Sequence, residues 1–298
     1  MTSRWCQIIM LCGLGMMASS CQDAGTLSPQ QELDRGVELS LRYSFDKARE
    51  HFARARAAAD TGSDLWLQAT LGEAVAVHHE VPLSVERIEQ IAVPLYEAVV
   101  AQGGHSLLAA RAALHLGRFY EQRDVKLDTV QVEKASRWYR MVIDGWTAEE
   151  IAGEATLRLA VCSSQGLDPE HVRQGVDLAI ARASSYPKQI WAASLWQFAG
   201  DLSWVVLHDR EAAIRLLLKA EAAGLPDRSS AWVTAWRIAV LAEEAGQREV
   251  AIEHYRQIIT EFSASGKAFE AQLRLRQLGV DPPALQAPLD LVAEGDVR

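Results

Sequence analysis

The residues of this chain most able to do chemistry are a histidine pair, four scattered cysteines and a crowd of tryptophans. His78, His79 and Glu80 come nearest to a metal-ligating cluster. Neighbours on a helix point about 100° apart, so the two imidazoles do not readily share one ion. The run reads as a solvated helix end, and no metal or other cofactor is expected. No carboxylate pair stands out from ordinary surface charge, so acid–base catalysis has no positive support. HExxH, GxSxG, P-loop and CxxC sequences are all absent. An enzyme is therefore not expected.

The cysteines stand at 6, 12, 21 and 162. Cys162 closes the apolar run LRLAVC, with no clear histidine or helix start beside it, and reads as a buried, inert thiol. The other three belong to the first 21 residues, MTSRWCQIIMLCGLGMMASSC. Arg4 is the sole charge, an apolar stretch runs from about Trp5 to Met17, and small residues precede Cys21. These are the parts of a secretory signal peptide. The apolar stretch is shorter than the about 20 residues of a membrane span.

Cys21, behind Ala18, Ser19 and Ser20, resembles the cysteine of a bacterial lipobox. The resemblance implies cleavage before Cys21 and acylation of its sulfur and amine, leaving a protein held at a membrane. Leu is usual in that family where Ala18 stands here. Ala18 and Ser20 also suit an ordinary signal-peptidase cut, which would release a soluble periplasmic protein. Gln22 stands where an inner-membrane retention signal would have Asp, which favours the outer membrane, facing the periplasm. The expected plan is a leader over 1–20, a tether over 21–30, a repeat domain over 31–279 and a loose tail over 280–298.

The elements behind these residues read as helices. Of 298 residues, 49 % are hydrophobic and 23 % charged, as in ordinary folded proteins. The formal charge is −9 and no dense basic cluster exists, so a nucleic acid is not the expected ligand. From Gln31 to Leu278 apolar residues recur at three- and four-residue spacing, with breakers between helix-sized segments. Pro94 falls inside one of these helices and should kink or split it.

A pattern of small, aromatic or large, then apolar residues repeats along the chain. Ala48, Phe52 and Ala55 give the first copy, and Ala92, Tyr96 and Val99 the second. Ala135, Tyr139 and Val142 follow, then a weak copy at Gly175, Ala179 and Arg182. Ala213, Leu217 and Ala220, then Ala251, Tyr255 and Ile258, complete it. A small residue lets two helices approach, and the large one a turn later fills the gap. The small positions step by 44, 43, 40, 38 and 38 residues.

These residues resemble the tetratricopeptide repeat (TPR). Leu116, Gly117 and Tyr120 match the family's first helix in the third repeat, as do Trp196, Ala199 and Gly200 in the fifth. In the sixth, Ala239, Gly246, Ala251 and Tyr255 stand at the family spacing. The family repeat is 34 residues, so helices or loops must be longer here. The C-terminal stretch 251–279 is similar to the TPR ends of bacterial envelope lipoproteins. The resemblance implies an all-α, TPR-like α-solenoid of about six helical hairpins, closed by a capping helix over 267–278.

In TPR proteins the first helix of each repeat lines a concave groove. Transferring that spacing points to Arg111, Arg118, Glu121 and Gln122 in the third repeat. In the fifth it points to Asp201 and Trp204, and in the sixth to Trp236, Glu243 and Glu244. Cations in one repeat and anions in another suit an extended protein segment. The expected function is a lipid-anchored, non-catalytic scaffold for envelope proteins. Trp191, Trp196, Trp204, Trp232 and Trp236 crowd into 46 residues. Repeat packing accounts for such a cluster, with Trp196 at a core position. A sugar-stacking face is the other reading, and it would make the protein a binder of glycans or peptidoglycan fragments.

Overall fold

The computed structural model describes residues 27–122, 129–225 and 228–285. The leader, Cys21 and the tail beyond 285 lie outside the described residues. Every regular element among those described is helical.

The helices form six antiparallel hairpins and a final single helix. The hairpins are α1 (Pro29–Leu41) with α2 (Phe45–Ala57), and α3 (Asp64–His79) with the composite α4 (Val85–Arg87), π segment Ile88–Ala92 and α5 (Val93–Gly103). Next come α6 (Leu107–Gln122) with α7 (Thr129–Gly145), and α8 (Glu150–Ser163) with α9 (Pro169–Ser185). Then follow α10 (Ala192–Val205) with α11 (Arg210–Ala223), and α12 (Arg228–Glu244) with α13 (Arg248–Glu261). The capping helix α14 (Ala268–Gln277) closes the array. We call the first helix of each hairpin A and the second B.

Local sequence sets the ends. Ser28 accepts from the Gln31 N–H while the Gln31 side chain accepts from the Ser28 N–H, and Pro29 fills the first helical position. That capping box starts α1 inside the expected tether, two residues before the expected domain start. Asp168 and Asp209 cap α9 and α11 through the side chain alone, accepting from backbone N–H groups of the first turn. Gly246, at φ 73°, ends α12 and lets the Gln247 N–H return to the Ala242 carbonyl at 2.8 Å.

Pro94 interrupts its helix through a π-turn rather than a break. Val93 donates back to the Ile88 carbonyl, and Pro94 enters α5 at its first turn, where no N–H is needed.

All eighteen positions of the repeated pattern are buried, from Ala48 to Ile258, including Gly175 and Arg182 of the weak copy. Tyr96, Tyr139 and Tyr255 are fully enclosed. Each B helix packs on its own A helix and on the A helix of the next repeat. The core accordingly runs as four successive clusters, each confined to neighbouring repeats.

Close approach explains the glycines on the A helices. A Cβ on Gly117 would come within 2.7 Å of the Tyr139 ring, and one on Gly200 within 2.8 Å of Leu217. Gly36 and Gly72 grip Phe52 of α2 from the two A helices beside it.

Candidate functional site

Successive A helices touch one another through the first four repeats and from α8 to α10. Successive B helices pack less closely and leave cavities in two places, the second bridged by Glu221 of α11, which meets His254 at 3.0 Å and Gln257 at 2.9 Å on α13. A cavity of about 500 Å³ lies between α7 and α9, and one of about 450 Å³ between α11 and α13. An array whose A helices meet and whose B helices pack less closely curves with the A helices inside. The predicted groove residues all lie on A helices, and Arg111 and Gln122 are exposed there. Arg111 makes no ion pair among the described residues.

Most of the other predicted groove residues are engaged with neighbouring repeats. Arg118 of α6 bonds Glu154 of α8, with Nε to Oε1 at 3.0 Å. Arg158, one turn further along α8, reaches the same Glu154 at 2.9 Å and Glu121 of α6 at 3.2 Å. Tyr139 of α7 donates its hydroxyl to Glu121. Burial opposes charge on Arg158, but Glu154 and Glu121 hold its guanidinium more firmly protonated than usual. Burial and Glu121 together push the Tyr139 hydroxyl well above its ordinary range.

The same device recurs two repeats on. Arg237 of α12 bonds Asp201 of α10 at 2.6 Å, and Gln197 donates to Thr234 at 3.2 Å. Burial pushes the Asp201 carboxyl up, and Arg237 draws it part of the way back. Tyr255 donates to Glu243 at 2.6 Å, as Tyr139 does to Glu121, with Arg274 of the cap 3.6 Å away. Glu244 meets Arg210 of α11 at 3.3 Å. The A-helix partners stand 36 or 37 residues apart, and these polar rungs join α6 to α8 and α10 to α12. Sequence reasoning named one side of them and missed Glu154, Arg158 and Arg237. The partners fall one to four residues short of the 40- and 38-residue repeat steps, so the step alone does not find them.

The tryptophans are mostly packing residues. Trp196 is buried, as expected for its position. Trp191 covers Gly153, and Trp204 and Trp236 lean on the last core cluster. Trp236 meets Tyr255 edge-on at 5.7 Å, with the Lys267 ammonium 4.7 Å from its ring. None of the described tryptophans is among the exposed large hydrophobics, and Trp191, Trp204, Trp232 and Trp236 are half-buried.

His78 corrects the expectation of a solvated helix end. It lies between Tyr96 and Phe119, at 6.3 and 6.2 Å between centroids, with Nδ1 buried and unpartnered. Burial, with His79 and Arg118 adding to it, lowers its pKa to about 4. His115, one repeat on, is pushed down to about 3 for the same reason. His79 is exposed, and the described residues hold no group of three His, Cys, Asp or Glu side chains fit to bind a metal. Cys162 is free and buried, and burial lifts its thiol to about 12. No described helix is long and apolar enough to cross a membrane.

With the hairpins and their inner surface described, the likeness to a solved structure is informative. The TPR-containing protein PilF of Pseudomonas aeruginosa superposes with a TM-score of 0.52 at 16 % identity. The match covers 83 % of this chain and 97 % of that one. The fold is TPR-like. No protein-family model matches the chain, and no curated protein matches it in sequence. At this identity the TPR-like solenoid is shown as a fold alone.

Proposed function

We propose that the chain is a lipid-anchored scaffold of the bacterial envelope, exported by its leader and tethered through acylated Cys21. Its inner A-helix surface holds an extended segment of an envelope protein, without catalysis. The observation that carries this reading is the inner surface itself. Its A helices meet from α1 to α10, Arg237 and Asp201 join α12 to α10, and the ion pairs linking Arg118, Glu154, Arg158 and Glu121 brace it before any partner arrives. Preorganisation of this kind spares a partner the ordering cost of binding. Arg111 and Gln122 supply polar contacts in the third repeat, and Trp236 a half-buried aromatic in the sixth.

Two measurements test it separately. Metabolic labelling with a clickable fatty acid should mark the chain and leave Cys21→Ala unmarked; a labelled Cys21→Ala, or an unlabelled parent, removes the anchor. Cross-linked co-purification from the native envelope should yield one dominant protein that is lost on Arg111→Glu. Recovery of no specific protein removes the scaffold.

A further inference from the structure

The described turns joining A to B helices fall on one edge of the solenoid, and four of these five carry exposed apolar residues where turns ordinarily carry polar ones. In the first repeat Leu41 and Tyr43 stand out, with Tyr43 83 % exposed. In the second, Val81, Leu83 and Val85 do so, with Val81 87 % exposed. The two turns are side by side. Tyr43 meets Phe45 at 6.1 Å, Phe45 meets His79 at 5.3 Å, and Arg49 binds Glu80 at 3.1 Å. Leu167 and Val205 continue the edge in the fourth and fifth repeats, whereas the sixth turn, at 245–247, adds no exposed large apolar residue.

We propose that these turns of the first two repeats insert into a lipid bilayer surface. Their shape argues for it. They are protruding tips and not a groove, so they suit a deformable apolar phase better than a helix or a peptide. Tyr43 is the kind of amphipathic ring that settles at the headgroup level. The charges beside the tips are ion-paired, Arg42 with Glu38 at 2.7 Å and Glu80 with both Arg49 and Arg87, which leaves the second cluster one cation in excess, suited to anionic headgroups.

The chain length also fits. The 13 residues of α1 set its start about 20 Å from the first turn. The six residue steps from Leu27 back to Cys21 span up to about 20 Å when extended. An acyl group on Cys21 therefore reaches the plane of the apolar tips. This last argument rests on the proposed acylation of Cys21, and the others do not.

The test is vesicle flotation of chain 21–298 carrying Cys21→Ser, which cannot be acylated there. The vesicles are phosphatidylethanolamine with a minority of phosphatidylglycerol. The parent should float with them, and Tyr43→Ser with Val81→Ser and Leu83→Ser should cut the bound fraction about tenfold or more. All three positions are exposed, so the helical circular dichroism should not change. A parent that stays at the bottom, or a triple variant that floats equally well, overturns the proposal. So does a parent that sediments as a dimer while the variant is a monomer, because the edge would then be a self-contact. Fatty-acid labelling of the full chain reads the anchor independently. Label without flotation sinks the edge alone, and flotation without label sinks the anchor alone.

Discussion

The imidazole of His115 lies flat on the ring of Tyr96, with centroids 5.2 Å apart and planes 5° from parallel. The Tyr96 hydroxyl is buried and has no hydrogen-bond partner, and neither has His78 Nδ1 beside it. Burial holds both imidazoles neutral, and Arg111, Arg118 and His79 are the charged or titratable groups that face His115 with His78.

That seam predicts acid sensitivity between the second and third repeats. The folded-state pKa values of His78 and His115 lie below the unfolded value of 6.5. Their contribution is fully present above pH 6.5 and is lost as the pH falls toward 4. One unit below 6.5, each histidine should cost about 1 kcal/mol of stability. Melting of the parent and His115→Phe as a function of pH measures this. The variant should lose less stability between neutral pH and about one unit below the unfolded histidine pKa; identical pH slopes would contradict the assignment.

Gly117 predicts a packing cost. A methyl group there must displace the Tyr139 ring, so Gly117→Ala should lose about 1–3 kcal/mol in urea unfolding. Combining it with Tyr139→Leu should recover part of that loss, since the smaller side chain leaves room. A Gly117→Ala variant as stable as the parent would show that the ring yields freely.

Glu154 should matter more than any exposed ion pair. It is buried and serves two guanidiniums, Arg118 and Arg158, whose side chains are 20 % and 31 % exposed. Glu154→Gln leaves both arginines short of a counter-charge and should cost roughly 2 kcal/mol. Arg35→Ala, at an exposed pair with Glu38, should cost less than about 0.5 kcal/mol. Equal effects would mean that these rungs contribute no rigidity.

The sequence was most legible where one hairpin explains itself. The small residue, the large residue a turn later and the third apolar position depend on helical period alone, and all of them are buried. The capping helix, expected at 267–278, spans Ala268–Gln277. The readings that missed depended on a neighbouring repeat. His78 looks solvated from its own helix, and its cover comes from Tyr96 and Phe119. Glu121 and Asp201 look like open groove charges until the adjacent A helix brings Arg158 and Arg237 against them. Those contacts follow the register between repeats, which varies here because the steps are unequal.

Cys162 should be unreactive in the folded protein. Its thiol is buried and raised to about 12, so the thiolate is scarce at neutral pH. In a Cys21→Ser chain 21–298, Ellman's reagent should label it only after guanidinium chloride is added. Rapid labelling of the native chain would mean that the cavity between α7 and α9 exposes it.

The central claim is that partners bind the inner A-helix surface. Site-specific photo-crosslinking in the native envelope tests it most directly. A photoreactive residue is placed at Arg111 or Gln122 on α6, and in parallel at Arg173 on α9 or Arg256 on α13, which are exposed on B helices. The account predicts one envelope protein captured from both inner positions and from neither outer one. Capture from the outer positions alone, equal capture from both sides, or capture from neither would contradict it.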